Sequence, residues 1–256
     1  MVHFGWAYLG QTNWKLQVGV RWPGATKAPV EPPIGSGGVR VRNRQADCGL
    51  ACYDRVVAKA EVVLFDLGGV LVELAPLDEL LGREMTPEDF WSRWLASASV
   101  RAFEKGETEV QDFAAALVDD LVLDISRDQV VERFAAFPRG LMPGAAALVE
   151  AVSGQATTGV LSNTNQLHWS QQPDSEIIQE MFDHQFLSFE LGMVKPDREL
   201  FDHVVGVLDM APSKVIFVDD NEPNVQAARS AGIDAYLAKG PVAASKVLQN
   251  NGFLLG

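Results

Sequence analysis

The stretch VVLFDLGGV, residues 62–70, decides how this chain is read. Four apolar residues run without interruption to Asp66, and Gly68 and Gly69 then break the pattern. An unbroken apolar run stopped by a turn signal predicts a strand buried on both faces, as in a parallel sheet. Residues 157–162 and 215–219 repeat that layout, ending at Ser162 and Asp219, and residues 234–238 make a further strand plausible. Parallel strands need crossovers, and ligands of such sheets bind at the carboxyl ends of the strands. Asp66, Ser162 and Asp219 all fall at such ends.

Helical patterns separate the strands. Thr86-Pro87-Glu88-Asp89 gives a cap, a proline at the first position and acids in the first turn, with Phe90, Trp91, Trp94, Leu95 and Ala98 following on one face. Thr108 with Gln111 predicts a capping box ahead of Phe113, Leu117 and Leu121; Ser126 with Gln129 predicts another ahead of Val130, Val131 and Phe134. Pro196 is expected to open a helix carrying Leu200, Phe201, Val204, Val205 and Leu208, and Pro223 to begin one that Gly232 closes. Several helices stand between the first and second strands where one would suffice. The expected architecture is therefore α/β: a doubly wound parallel sheet formed by residues 61–74 and 141–256, with an inserted α-helical cap at 75–140.

Residues 1–60 differ. They hold eight Lys/Arg against three Asp/Glu, although the whole chain carries −13, and their Pro and Gly interrupt any period. They read as a disordered extension; a transit peptide would need an amphipathic helix that is missing. The overall negative charge argues against a nucleic-acid surface, and no apolar run approaches the roughly 20 residues that span a bilayer. The two cysteines, Cys48 and Cys52, make no disulfide framework and too few ligands for a metal site, so a reducing, cytoplasmic setting is expected.

Taken singly, a strand-end aspartate is more often a helix cap or a salt-bridge partner, Lys195 a solvated surface residue, and Ser162 a strand-end hydroxyl. Taken together they suggest chemistry. Asp66, Asp219 and Asp220 should meet at one sheet edge, where three carboxylates repel unless a cation lies among them. Oxygen-only ligands suit Mg²⁺, and Asn224 stands one helical turn from Asp220. Such an ion would let an anionic nucleophile approach an anionic phosphate. Lys195 offers a second positive centre, Ser162 and Asn163 can hold phosphate oxygens, and the Gly68-Gly69 turn lets main-chain amides come close.

The ordered segments VVLFDLGGV, GVLSNTN (159–165), LGMVKP (191–196) and VIFVDDNEPN (215–224) resemble the four motifs of the haloacid-dehalogenase-like hydrolase superfamily, over about residues 61–240. That resemblance implies a phosphatase in which Asp66 is the nucleophile and forms an aspartyl-phosphate. Ser162, Asn163, Lys195 and Gly68 would bind phosphate. Asp66, the Gly68 carbonyl and Asp220 would bind Mg²⁺, with Asp219 close by. Within the superfamily, DLGGVLV, LSNTNQLHW and VDDNEPN are similar to the bacterial group that includes α-D-glucose-1-phosphate phosphatase. Small phosphate esters, sugar phosphates first, are thus the expected substrates. Most phosphatases of the superfamily place an aspartate, the general acid, two residues after the nucleophile. Here that position is Gly68, which puts the source of the leaving-group proton in question, although the glucose-1-phosphate group shares the glycine. A dehalogenase attacking carbon without metal and a catalytically weak binding protein are the competing readings. His168 could orient a sugar hydroxyl or donate a proton, although a histidine packed in a loop is the commoner case; Trp91 and Trp94 have the spacing of core residues.

Overall fold

The computed structural model describes residues 60–82 and 84–253; the expected extension, Cys48 and Cys52 lie outside them. β1 (Val62–Phe65) passes through a tight turn into β2 (Val72–Leu74). Then α1 (Leu77–Leu81), α2 (Pro87–Ala96), α3 (Ala98–Glu104), α4 (Val110–Leu121) and α5 (Arg127–Ala135) precede β3 (Pro138–Leu141). The helix α6 (Ala145–Ser153) leads to β4 (Thr157–Ser162), and α7 (Gln166–Gln171) with α8 (Ser175–Glu180) to β5 (His184–Leu187). The last part comprises α9 (Ser188–Leu191), α10 (Arg198–Leu208), β6 (Val215–Asp219), α11 (Glu222–Ser230), β7 (Asp234–Leu237) and α12 (Gly240–Asn250).

Five strands form one parallel sheet in the order β5-β4-β1-β6-β7. Alternation along β1 explains its unbroken apolar run. Val63 and Phe65 pack on one face with Leu148, Val152 and Leu248 of α6 and α12; Val62 and Leu64 pack on the other with Phe201, Val204 and Val225 of α10 and α11. Both faces are dry, so polar residues are admitted only at the strand ends. The order runs outward from β1 and β6 in opposite directions, which opens a crevice at their carboxyl ends. Asp66 stands there, its N–H donating to the Val218 carbonyl of β6 at 2.9 Å.

The helices α1–α5 build a second apolar cluster of their own. Its centre is aromatic: Phe103 and Phe113 stack with centroids 4.2 Å apart, and Trp94 and Phe134 close round them. This insertion hangs on a feature the periodicity did not reveal. β2 and β3 pair antiparallel, Val72 opposite Leu141, and form a two-stranded stem at its base.

Local signals fared unequally. Thr86 caps α2 by accepting from the Asp89 N–H, and Ser126 and Gln129 form the full capping box of α5. The box expected of Thr108 and Gln111 is absent. α4 starts at Val110 with Glu109 at its cap, so Gln111 lies a residue too early in the helix to reach back. Nor does Pro196 open α10: a turn from Val194 to Asp197 intervenes, and Arg198 begins the helix. Pro223 falls in the first turn of α11, and Gly232, at φ +89°, follows its end as expected. Among the described residues, no helix is long and apolar enough to cross a membrane.

Candidate active site

Three strands deliver the site. Asp66 follows directly on β1, Ser162 ends β4, Asp219 ends β6 with Asp220 next, and Lys195 arrives from the loop between α9 and α10. One oxygen from each of Asp66, Asp219 and Asp220 lies within 4.8 Å of the others. Lys195 is buried beneath them, only 2% exposed. Its ammonium donates to Asp66 Oδ1 at 2.7 Å, Asp219 Oδ2 at 2.7 Å and the Leu161 carbonyl at 3.0 Å. Those three bonds use all its protons. In this arrangement Lys195 is a fixed positive charge beneath Asp66, with every ammonium proton held by protein oxygens.

Asp219 is saturated as well. Oδ1 accepts from the Asn221 main chain at 2.7 Å and from Asn224 Nδ2, and Oδ2 from Lys195 and Asn224. Asp220 is the more open of the pair. Three carboxylates face one ammonium, which leaves an excess of negative charge. Burial, and after it the repulsion of Asp219 and Asp220, push Asp66 up to about 7 against the pull of Lys195. Burial and Asp219 likewise push Asp220 up to about 6. The Lys195 ammonium feels the reverse. Burial lowers its affinity for the proton, but Asp219 and Asp66 outweigh burial and hold its pKa above the ordinary value.

The donor set fits a hard divalent cation: oxygen ligands only, an excess of negative charge, and a buried Asn224 Oδ1 that has no hydrogen-bond partner. Gly69, at φ +76°, passes so close that a Cβ there would overlap Asp220 Oδ2. The crowded glycine is therefore Gly69. At Gly68 the nearest neighbour of a Cβ would be Leu74, at 3.4 Å.

A cavity of about 280 Å³ opens over these groups. Asp66, Gly68, Ser162, Asn163, Lys195, Asp220 and Asn224 line its floor; Trp91, Trp94, Glu104, Phe134 and Phe137 line it from the insertion. The Asn163 side chain is committed to Lys195, accepting from its N–H at 2.8 Å and donating to its carbonyl at 2.9 Å. His168 is pinned. Nε2 lies 2.7 Å from the Phe134 carbonyl, Nδ1 3.3 Å from Asn165 Nδ2, and the ring stacks on Phe134. Burial, with the Phe134 carbonyl opposing, lowers it to about 4. A neutral ring that donates to Phe134 and accepts from Asn165 has no proton for a substrate, so His168 joins α7 to the insertion. Trp94 is a core residue whose Nε1 donates to Glu104 at 3.1 Å.

Glu104 escaped the reading of the sequence. A signal existed: with Val100 and Phe103 it lies at i−4 and i−1 on the buried stripe of α3. The oxygen crowding at Gly69 also needed the fold, since Asp220 is remote in sequence.

A family model described as haloacid dehalogenase-like hydrolase matches residues 60–232. The chain belongs to that family. It is 22% identical over 191 residues to D-ribitol-5-phosphate phosphatase of Bacteroides thetaiotaomicron, covering 68% of this chain and 89% of the relative. It is 28% identical over 176 residues to a sesquiterpene phosphatase of Aspergillus oryzae, covering 68% and 87%. Among solved structures, a HAD family enzyme of Bacteroides thetaiotaomicron in complex with magnesium and inorganic phosphate superposes with a TM-score of 0.57 at 24% identity, over 70% of this chain and 94% of that one.

Proposed function

We propose that this protein is a magnesium-dependent phosphomonoesterase acting on small phosphorylated metabolites, with sugar phosphates, including sugar 1-phosphates, as its first substrate class. The observation that carries the reading is the convergence of Asp66, Asp219 and Asp220 on one buried lysine beside an unpartnered amide oxygen, under a small cavity. The phosphatase activity of the relatives supports it. Asp66, Asp220 and the Gly68 carbonyl would hold magnesium, with Asp219 fixing Lys195 and Asn224 around it; the ion would offset phosphate charge and set an in-line geometry.

Asp66 is the nucleophile. A carboxylate oxygen bonds to phosphorus as the ester oxygen leaves with its electron pair, and water later cleaves the aspartyl-phosphate. The Ser162 hydroxyl and the Asn163 main-chain N–H orient the phosphoryl oxygens, and Lys195 together with the ion would keep the attacking carboxylate ionised. Residues 75–140 act as a cap that excludes water and selects the alcohol. The cavity stands near the lower end of the roughly 300–1,000 Å³ of small-molecule sites, and a second cavity of about 1120 Å³ adjoins it at Leu74, Trp91, Phe137 and Asp220, with room for the alcohol of the ester. The chain's net charge of −13 argues against nucleic-acid esters, and its two cysteines suit the cytoplasm.

One observation favours a second substrate class. Leu74, Trp91, Trp94, Phe134 and Phe137 make an apolar wall opposite the carboxylates, which suits a phosphate ester of an apolar alcohol. The test is a panel of p-nitrophenyl phosphate, sugar and polyol phosphates and prenyl phosphates, with magnesium and with chelator. The expected result is turnover that chelation and Asp66→Asn each abolish. Metal-independent release of halide from 2-haloacids, or no turnover of any ester, would overturn the reading.

A further inference from the structure

With Gly68 two residues beyond Asp66, the β1 turn offers no side chain that could protonate a leaving alcohol. Another carboxyl reaches the same cavity. Glu104 ends α3, on the insertion, and is 9% exposed. Its Oε1 accepts from the Trp94 indole at 3.1 Å and its Oε2 from Asn163 Nδ2 at 3.2 Å. Both partners are neutral. The Lys195 ammonium is fully committed elsewhere, and Arg101, one turn back on α3, pairs with Asp197 at 2.5 Å. A buried carboxyl without a paired cation favours its neutral form. Each oxygen takes one N–H, and no hydrogen bond among the described residues receives a proton from this group, so its O–H is left for the cavity. Asn163 places it one residue from Ser162, at the phosphate-binding end of β4.

We propose that Glu104 is the acid–base residue of the reaction: it protonates the leaving alcohol in the first half and takes a proton from water in the second. The proposal rests on the phosphatase reading above. As the bond from phosphorus to the ester oxygen breaks, that oxygen receives both the bonding pair and the Glu104 proton, and Glu104 becomes a carboxylate. In the second half, water oxygen bonds to phosphorus, its proton passes to Glu104, and the bond from phosphorus to Asp66 oxygen breaks with its pair returning to Asp66. Ester and water have become alcohol and phosphate, with Glu104 and Asp66 restored. Burial pushes Glu104 up to about 7, against weaker downward pulls from Trp94, Lys195, Arg101 and Asn163, which suits an acid at neutral pH. His168, the other titratable group on the insertion side of the cavity, is neutral there. A carboxyl that merely fastened α3 to the core would lose one of these two bonds on becoming an amide, at a cost that is the same for both classes of ester.

The discriminating experiment compares wild type and Glu104→Gln on p-nitrophenyl phosphate, whose phenolate leaves without a proton, and on the best alkyl phosphate of the panel. The alkyl-to-aryl ratio of kcat/KM, which reports the steps through leaving-group departure, is expected to fall by ~10²-fold or more in the variant, the size of general acid catalysis. In wild type, kcat/KM for the alkyl ester should decline above pH ~7 and that for the aryl ester should lack this limb, following the raised carboxyl. An unchanged ratio, whether both rates fall together or neither falls, overturns the role of Glu104 while leaving the phosphatase reading intact. If the variant does not fold, the wild-type profiles decide, and identical alkaline limbs for the two esters overturn it. Wild-type turnover of aryl but no alkyl esters overturns it too; no turnover of either removes the phosphatase reading itself.

Discussion

Glu104 should leave a signature in stability as well as in catalysis. Its carboxyl is raised from the ordinary 4.5 to about 7 by burial. The sign follows from proton counts. Between those values the folded protein holds a proton that the unfolded chain has released, so raising the pH favours unfolding. The stability present below pH ~4.5 is lost by pH ~7, and a shift of this size at 1.36 kcal/mol per unit amounts to about 3 kcal/mol. Asp66 and Asp220 contribute slopes of the same sign in metal-free protein, so wild type alone cannot isolate the effect. Glu104→Gln can. The amide keeps an acceptor for Trp94 or Asn163 and loses roughly 1 kcal/mol for the other bond, at every pH. Urea unfolding of metal-free wild type and variant at pH 4.5 and pH 7.5 should give a difference between the two proteins that moves by about 3 kcal/mol toward the variant as the pH rises. Curves that stay parallel within about 0.5 kcal/mol would refute the claim that this carboxyl is buried without a cation.

Other perturbations probe the rest of the site. Lys195→Met leaves Asp66 and Asp219 facing each other with the Leu161 carbonyl unpaired, and unfolding in urea without metal should show a loss of about 3–5 kcal/mol. Gly69→Ala puts a Cβ into Asp220 Oδ2 at a left-handed φ; displacing that carboxylate by even an ångström should cost ~10²-fold in kcat/KM and weaken magnesium affinity by titration calorimetry. At Gly68 a Cβ comes no closer than 3.4 Å to its nearest neighbour, Leu74, so Gly68→Asp should fold, and a carboxyl there should raise the alkyl-to-aryl turnover ratio; an unchanged ratio would remove Gly68 from the account of proton supply.

Much of the frame was legible because strand ends advertise themselves. The central residues of β1, β4 and β6 are held to apolar or small side chains by two dry faces, so Asp66, just past β1, and Ser162 and Asp219, at the ends of β4 and β6, stand out against their neighbours. Capping chemistry is local, and Ser126 with Gln129 was readable for that reason. Thr108 with Gln111 shows the weakness of such a signal, since a start one residue later cancels it.

Sequence by itself therefore determined four of the five strands of the parallel sheet, with the edge strand β5 left unread, and the residues that reach the carboxyl edge of that sheet. Apolar periodicity and turn residues act over a few positions and can be read without knowing what lies across the fold. Tertiary structure alone decided the β2–β3 stem, which joins residues about 70 positions apart, the crowding of Gly69 against Asp220, and the three-way commitment of the Lys195 ammonium. It alone brought Glu104 to the cavity. A glutamate at a helix end is ordinarily solvated, and only the packing of α3 against the core takes this one out of water and raises its hold on the proton.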